Sequence, residues 1–167
     1  MLIKMITCKV RDDSKKRFHY AQTKWAELNN VSGFIAQVGG WNIVNTNEAV
    51  IIAVWETLEK YNLFMSKIHD QIIARSEQTS SYENIEVSLW KTDKIIKHNE
   101  IVNCKYLALE NTKNNSLISD NYVFISHMKN DRERKLLLFQ NDLENIKGSK
   151  EVLITIDKEW TVSSRCQ

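Results

Sequence analysis

Proline is absent from the 167 residues, and glycine occurs only four times and cysteine three times. Average usage of about 5% would place roughly eight prolines in a chain of this length, so the turns must be made by Asn, Asp, Ser and the few glycines. Cys8, Cys104 and Cys166 share no C-x-x-C spacing, and their odd number excludes a disulfide framework, so they read as reduced thiols. Neither sign of charge dominates: 23 Lys+Arg stand against 21 Asp+Glu, a net charge of +2. The charges are also evenly spread, with 12 basic and 11 acidic residues before position 97 and 11 and 10 from there on. Such a chain carries no electrostatic footprint for a nucleic acid. Long apolar runs are missing too. The start, MLIKMITCKVRDDSKKRF, breaks its apolar residues with a lysine and runs straight into charge, unlike a signal peptide or membrane anchor. These absences lead to the expectation of a cytoplasmic protein with neither nucleic acid nor membrane as a partner.

What is present, 43% hydrophobic and 26% charged residues, is globular, with material for one large core or two modest ones. Residues 1–10 alternate as a strand, and Asp13 or Ser14 can cap the helix that follows. Phe18, Ala21, Trp25 and Leu28 fall on one face of that helix, which spans about four turns. Residues 33–45 read as a second strand, whose paired Gly39 and Gly40 predict a bulge or a close backbone approach. A short turn leads to a third strand over 49–55, an antiparallel hairpin partner. A second helical stripe carries Leu58, Tyr61, Phe64, Met65, Ile68, Ile72 and Ile73, and a fourth strand spans 85–90. The order β-α-β-β-α-β predicts an α+β ferredoxin-like domain over residues 1–96. From 97 to 167 the runs 101–109, 122–127, 135–139, 152–156 and 160–163 are short and strand-like, with connections over 111–120 and 141–149. They predict a small β-rich region of unassigned role.

The third strand is apolar on both faces, so both must be covered, and two helices cover only one. A homodimer packed sheet to sheet is the simplest closure; residues 97–167 folded over the sheet are the competing one. Small residues, Ala36 and Gly40 on the second strand and Ala49 and Ala53 on the third, would leave a cavity under the helices if both sets face them. Trp25, Trp55 and Phe64 would rim it, which suits a flat aromatic ligand; the alternative is that these large side chains fill the space.

Gly33-Phe34 and Trp55-Glu56 resemble the landmarks of the antibiotic biosynthesis monooxygenase-like superfamily, in which two ferredoxin-like chains form a dimeric α+β barrel. The segments KWAELNNVSGFIAQVGGWN, NEAVIIAVWE and FMSKIHDQI resemble, more narrowly, the uncharacterised bacterial YdbC-like family, over roughly the first 90 residues. The superfamily resemblance implies a cofactor-independent monooxygenase acting on a small aromatic compound, or a non-catalytic ligand-binding or scaffold protein. Its heme-degrading branch uses an Asn on the first strand, a Trp in the second helix and a His near that helix's end. Here those places hold Thr7 and Cys8, then Phe64, and a His69 that arrives about one turn early.

The candidate residues follow. His69 is the titratable group beside the buried stripe, able to relay a proton. Asn42 offers an amide donor and Trp41 an indole at the end of the glycine-bearing strand. Gln37 is the one polar residue in mid-strand, a ligand contact or a bond to its equivalent across a dimer axis. Trp25, Trp55 and Phe64 complete the ligand-binding set. Each also has a purely structural reading, in packing or in a dimer contact. No metal site is expected, because His19, His69, His98 and His127 are scattered without H-x-x-x-H spacing. Nor is there a glycine-rich phosphate loop, and no cofactor is expected. Ser163, Ser164 and Cys166 lie too near the end of the chain to be held as nucleophiles.

Overall fold

Alternation along MLIKMITCKV produces β1 (Leu2–Lys9), which runs antiparallel to both β3 (Glu48–Trp55) and β4 (Asn84–Lys91). The computed structural model describes residues 1–112, 122–146 and 150–165. Cys166, most of the expected connection over 111–120 and the end of that over 141–149 lie outside those residues. β2 (Phe34–Trp41) pairs with β3 as the predicted hairpin. Between β1 and β2 the Phe18 stripe winds as α1 (Lys15–Thr23) and then tightens into a 3₁₀ turn, Lys24–Asn30, with Phe18, Ala21, Trp25 and Leu28 all buried. Ser14 occupies the N-cap position of α1 without making the capping bond; its hydroxyl donates to Asp13 instead. The second stripe forms α2 (Leu58–Phe64), capped by Thr57 Oγ1, which accepts from the Lys60 amide at 3.2 Å. It continues through a π-turn, Met65–His69, into α3 (Asp70–Ser76), which stops at Glu77 in the left-handed conformation, φ 53°.

The later runs become β5 (Tyr106–Asn111), β6 (Tyr122–His127), β7 (Arg134–Gln140), β8 (Val152–Thr155) and β9 (Val162–Ser163). The run over 101–109 is strand only in its second part; its start belongs to α4 (His98–Val102), whose buried Ile101 turns into the core. The described strands form one sheet in the order β8-β5-β7-β6-β4-β1-β3-β2-β9. β4 meets β6 only at Trp90–His127 and Lys91–Ser126, so Asn84–Ser88 has no strand neighbour on that side among the described residues. At the far edge the sheet returns on itself. Asn42 bridges Ile154, the Ile43 amide donates to the Leu153 carbonyl at 2.7 Å, and the Asp157 amide donates to the Gly39 carbonyl at 2.8 Å. β9 covers the other end of β2 through Ala36–Ser163 and Gln37–Val162.

The inner face of the curled sheet is therefore a core that both stretches of chain fill. Ile3, Val38, Val50, Ile52 and Val54 pack with Leu107, Leu109, Val123, Ile125, Leu137 and Ile154. This corrects the expected sheet-to-sheet closure by a second copy: residues after 97 of the same chain cover that face, because their alternating apolar side chains continue the same barrel wall. The two glycines are also resolved. The sheet irregularity lies at Ile35, between Phe34 and Ala36, not at Gly39-Gly40. Gly40 serves the close approach instead, since a Cβ there would stand 2.0 Å from the Thr155 carbonyl oxygen. Ala36 thus faces the inner core, and Gly40 faces β8, not the helices; only Ala49 and Ala53 of the four small residues face the helical side.

Candidate functional site

Alternation on β1 and β3 places Lys4, Ile6, Ile51 and Ala53 on the face under the helices, and with Gln37 of β2 they floor a cavity of about 470 Å³. α1 and its 3₁₀ extension supply Gln22, Trp25 and Leu28 to its walls, and α2 to α3 supply Tyr61, Phe64, Met65, His69 and Ile73. The space exists because Ala53 sits in the middle of the floor while the large rings stack on one another at the side. Trp55 lies 4.9 Å from Phe64 and 5.7 Å from Tyr61, centroid to centroid, and Phe34 meets Trp55 edge-on at 5.3 Å. Trp55, Tyr61 and Phe64 wall the cavity without filling it, and its volume is that of a pocket for a small organic ligand.

Of the residues singled out from sequence, five meet here: Trp25, Gln37, Trp55, Phe64 and His69. The His69 ring stands between Trp25, at 5.8 Å, and Phe64, at 5.7 Å, and Nδ1 pairs with Asp70 Oδ1 at 2.9 Å. Nε2 makes no hydrogen bond among the described residues. The π-turn inserts one extra residue into the helix just where His69 and Met65 reach the cavity, an irregularity that recurs at functional positions in helices. Trp25 Nε1 donates to Gln78 Oε1 at 2.8 Å, which fixes that indole at the rim.

Trp41 and Asn42 do not reach this cavity. Trp41 packs against Phe18 at 5.7 Å and Trp160 at 5.5 Å, with the Lys15 ammonium over its ring. Asn42 is a joint of the fold. Its Nδ2 donates to Glu48 Oε1 at 2.7 Å, and its Oδ1 accepts from the amides of Val44 at 3.1 Å and Leu153 at 3.4 Å. Its carboxamide oxygen is fully engaged, and its nitrogen is held by Glu48, where β2 meets β8. Gln37 likewise faces the helices, so it cannot bond across an axis on the inner face. The positions compared with the heme-degrading pattern separate as well. Thr7 lines a polar hollow with Glu48, Glu86, Glu133 and Glu151, and Cys8 is sealed under Phe18 with its thiol pushed up to about 12 by burial. Phe64 and His69 stay at the cavity.

Lys4 was not legible as a site residue, yet it is the most unusual group here. It is 6% exposed, lies opposite Ala53 and Leu89 in the strand register, and pairs with no acid among the described residues. Its Nζ lies over the Tyr61 ring, 5.6 Å from the centroid. Burial lowers its pKa to about 8 and raises that of the Tyr61 hydroxyl. Gln22 Nε2, Gln37 Nε2 and Trp55 Nε1 are also buried without a partner. The one sequence signal was a lysine within the apolar run of β1; the ordinary reading, an outward-facing polar alternate, holds only for a sheet with a solvated face.

A separate cluster joins His19 to Asp157 and Glu159, at 3.3 and 2.6 Å. Trp160 Nε1 donates to His19 Nδ1 at 3.0 Å, which ties this corner to the packing of α1. No helix among the described residues is long and apolar enough to cross a membrane.

Comparison with known proteins agrees with this architecture. The uncharacterized protein YdbC of Bacillus subtilis (strain 168) is 39% identical over 105 residues, 62% of this chain and 88% of that protein. A crystal structure named "putative monooxygenase", from Lactobacillus acidophilus NCFM, superposes with a TM-score of 0.62 at 11% identity, covering 97% of this chain and 95% of that one. An anthrone oxidase-like protein superposes with a TM-score of 0.64 at 7% identity, over 98% and 93%. At such identities the likeness is one of fold, and it extends to the α+β architecture over nearly the whole chain. The family model described as a domain of unknown function, DUF4937, matches residues 2–90, and the chain belongs to that family together with its YdbC-like relatives.

Proposed function

We propose that the chain is a cofactor-independent monooxygenase-like enzyme whose substrate is a small aromatic compound bound between the helices and the sheet. The observation that carries this reading is the aromatic-walled cavity of about 470 Å³ with one imidazole, His69, at its edge. The names borne by two structural neighbours, a monooxygenase and an anthrone oxidase-like protein, support the same class.

A suitable substrate carries an acidic CH₂ between an aromatic ring and a carbonyl or second ring. His69 takes one proton, and the resulting carbanion is delocalised over the ring system, which Trp25, Trp55 and Phe64 hold flat and dry. That carbanion reduces O₂, a C–O bond forms, and the hydroperoxide loses water to leave a ketone, so CH₂ and O₂ become C=O and H₂O.

Anthrone is the direct probe. Oxygen uptake with one equivalent of anthraquinone is the expected result, and His69→Ala should slow it by roughly 10²-fold or more. Anthrone oxidation no faster than in buffer sinks the enzyme reading. A second reading, a non-catalytic binding protein for the same kind of ligand, is favoured by one feature: among the described residues His69 pairs with the exposed Asp70 alone, with no buried acid behind it. Saturable binding of anthrone without turnover is its signature.

A further inference from the structure

The polar groups of the cavity have a common polarity. The Lys4 ammonium and the Trp55 indole N–H can only donate: Lys4 is nine-tenths buried and meets no hydrogen-bond acceptor among the described residues, only the Tyr61 ring, and the Trp55 nitrogen is sealed without a partner there. Gln22 and Gln37, which also line the cavity, are 2% and 3% exposed, and their side-chain amide nitrogens are sealed without a partner among the described residues. Buried polar groups are ordinarily satisfied, and a buried ammonium is ordinarily paired with an acid. Lys4 is the group of this set whose charge calls for a partner: a buried ammonium on the cavity floor with no acid beside it describes a site that lacks its acceptor. The titratable groups that share the cavity do not provide it. Tyr61 meets Lys4 with its ring face, His69 is engaged by Asp70, Asp70 itself is an almost fully exposed carboxylate, and Tyr82 lies on the far wall.

We infer that Lys4 is a ligand-binding residue that receives an anionic oxygen, a phenolate, enolate or carboxylate, carried by the flat apolar ligand of this cavity. The inference rests on the cavity being the ligand site, as proposed above, and adds the charge of the ligand and the residue that reads it. A charge-assisted hydrogen bond from a desolvated ammonium to an oxyanion supplies what neither the rings nor the amides can, discrimination between an anion and its neutral isostere. It also gives β1 a role in specificity, since Lys4 is held between β3 and β4 with little freedom to turn away.

The test uses the full chain and two probes of equal shape, 2-naphthoate and 2-naphthamide, titrated by calorimetry and by quenching of tryptophan fluorescence. The wild-type protein should bind naphthoate at least about tenfold more tightly than naphthamide. Lys4→Met, which keeps the length of the side chain without its charge, should abolish that preference and leave naphthamide binding within about twofold. Lys4→Gln is the second variant, and far-ultraviolet circular dichroism confirms that both are folded. To separate the sources of the oxyanion, 4-nitrophenol is added. Retention of its yellow phenolate band on binding, lost in Lys4→Met, identifies a phenolate or enolate site, whereas preference for naphthoate alone identifies a carboxylate site. Equal binding of both naphthyl probes, or a preference that survives Lys4→Met, overturns the role of Lys4 and leaves the cavity reading intact. Absence of binding by every probe overturns both.

Discussion

The two stretches of the chain on either side of residue 97 contribute strands to the same sheet but treat its surfaces differently. The first stretch packs one face of its four strands against α1, α2 and α3, and the helices stand far enough off to leave a chamber above Ala53. The second turns its apolar residues, such as Leu107, Val123 and Leu137, into the shared inner core, and its described helix α4 packs its Ile101 into that same core. It therefore acts as the wall that covers the inner face of β1, β2 and β3. A binding chamber here is not a property of the sheet; it comes from pairing small floor residues with bulky rings on helices that cross above them, and only the first stretch has both.

Substitutions can break or sharpen this contrast. Leu107→Ala, in the inner core and far from the chamber, should cost about 2–5 kcal/mol. If the two stretches share one core, chamber tryptophan fluorescence and the β-sheet signal should melt together in denaturant; two separate transitions would show that the second stretch folds apart. Next in size is Lys4→Met, on the order of 3 kcal/mol. In the fold Lys4 loses its proton near pH 8, and in the unfolded chain near pH 10.4. Below pH 8 it is charged in both states and the buried charge penalises the fold in full; between pH 8 and 10.4 the unfolded state holds more protons, so that penalty fades. Lys4→Met should thus be the more stable protein at pH 7, and its advantage should shrink as pH rises through this window. Cys8, with its thiol pushed up to about 12, acts in the opposite direction above pH 9 but equally in both proteins, so the difference isolates Lys4. A gap that does not change with pH would remove the buried charge from the account. Smallest is Gly40→Ala, which forces β2 away from the Thr155 carbonyl at a cost of about 1–3 kcal/mol. It should loosen the β2–β8 joint, read as faster amide exchange at Ile43 and Asp157, and leave probe binding in the chamber unchanged.

Much of this arrangement was legible before any coordinates. The element order up to residue 96, the hairpin of β2 and β3 and both helical stripes follow from periodicities of 2 and 3.6, which local sequence carries directly. So do the chamber walls Trp25, Trp55 and Phe64, because a helix stripe and a strand face each name their own inward residues. Closure was harder, since β5 to β9 are short and their partners lie far along the chain; nothing local says that β8 returns to β2. Asn42 shows the cost. Read alone it is an amide at a strand end, and only the arrival of Leu153 reveals it as a joint. Lys4 failed for the mirror reason: a polar alternate signals solvent only if one face of the sheet is wet, and here both are covered.

The stretch Asn84–Ser88, which lacks a strand neighbour toward β6, has a further consequence. Among the described residues its outward backbone donors and acceptors meet no strand, and Ile85 and Val87 beside them are exposed, the features of an open sheet edge. Glu86 places a negative charge within that edge, the kind of residue that blunts pairing between open strands, whereas Glu83, just before it, is paired with Lys9 of β1 at 3.3 Å.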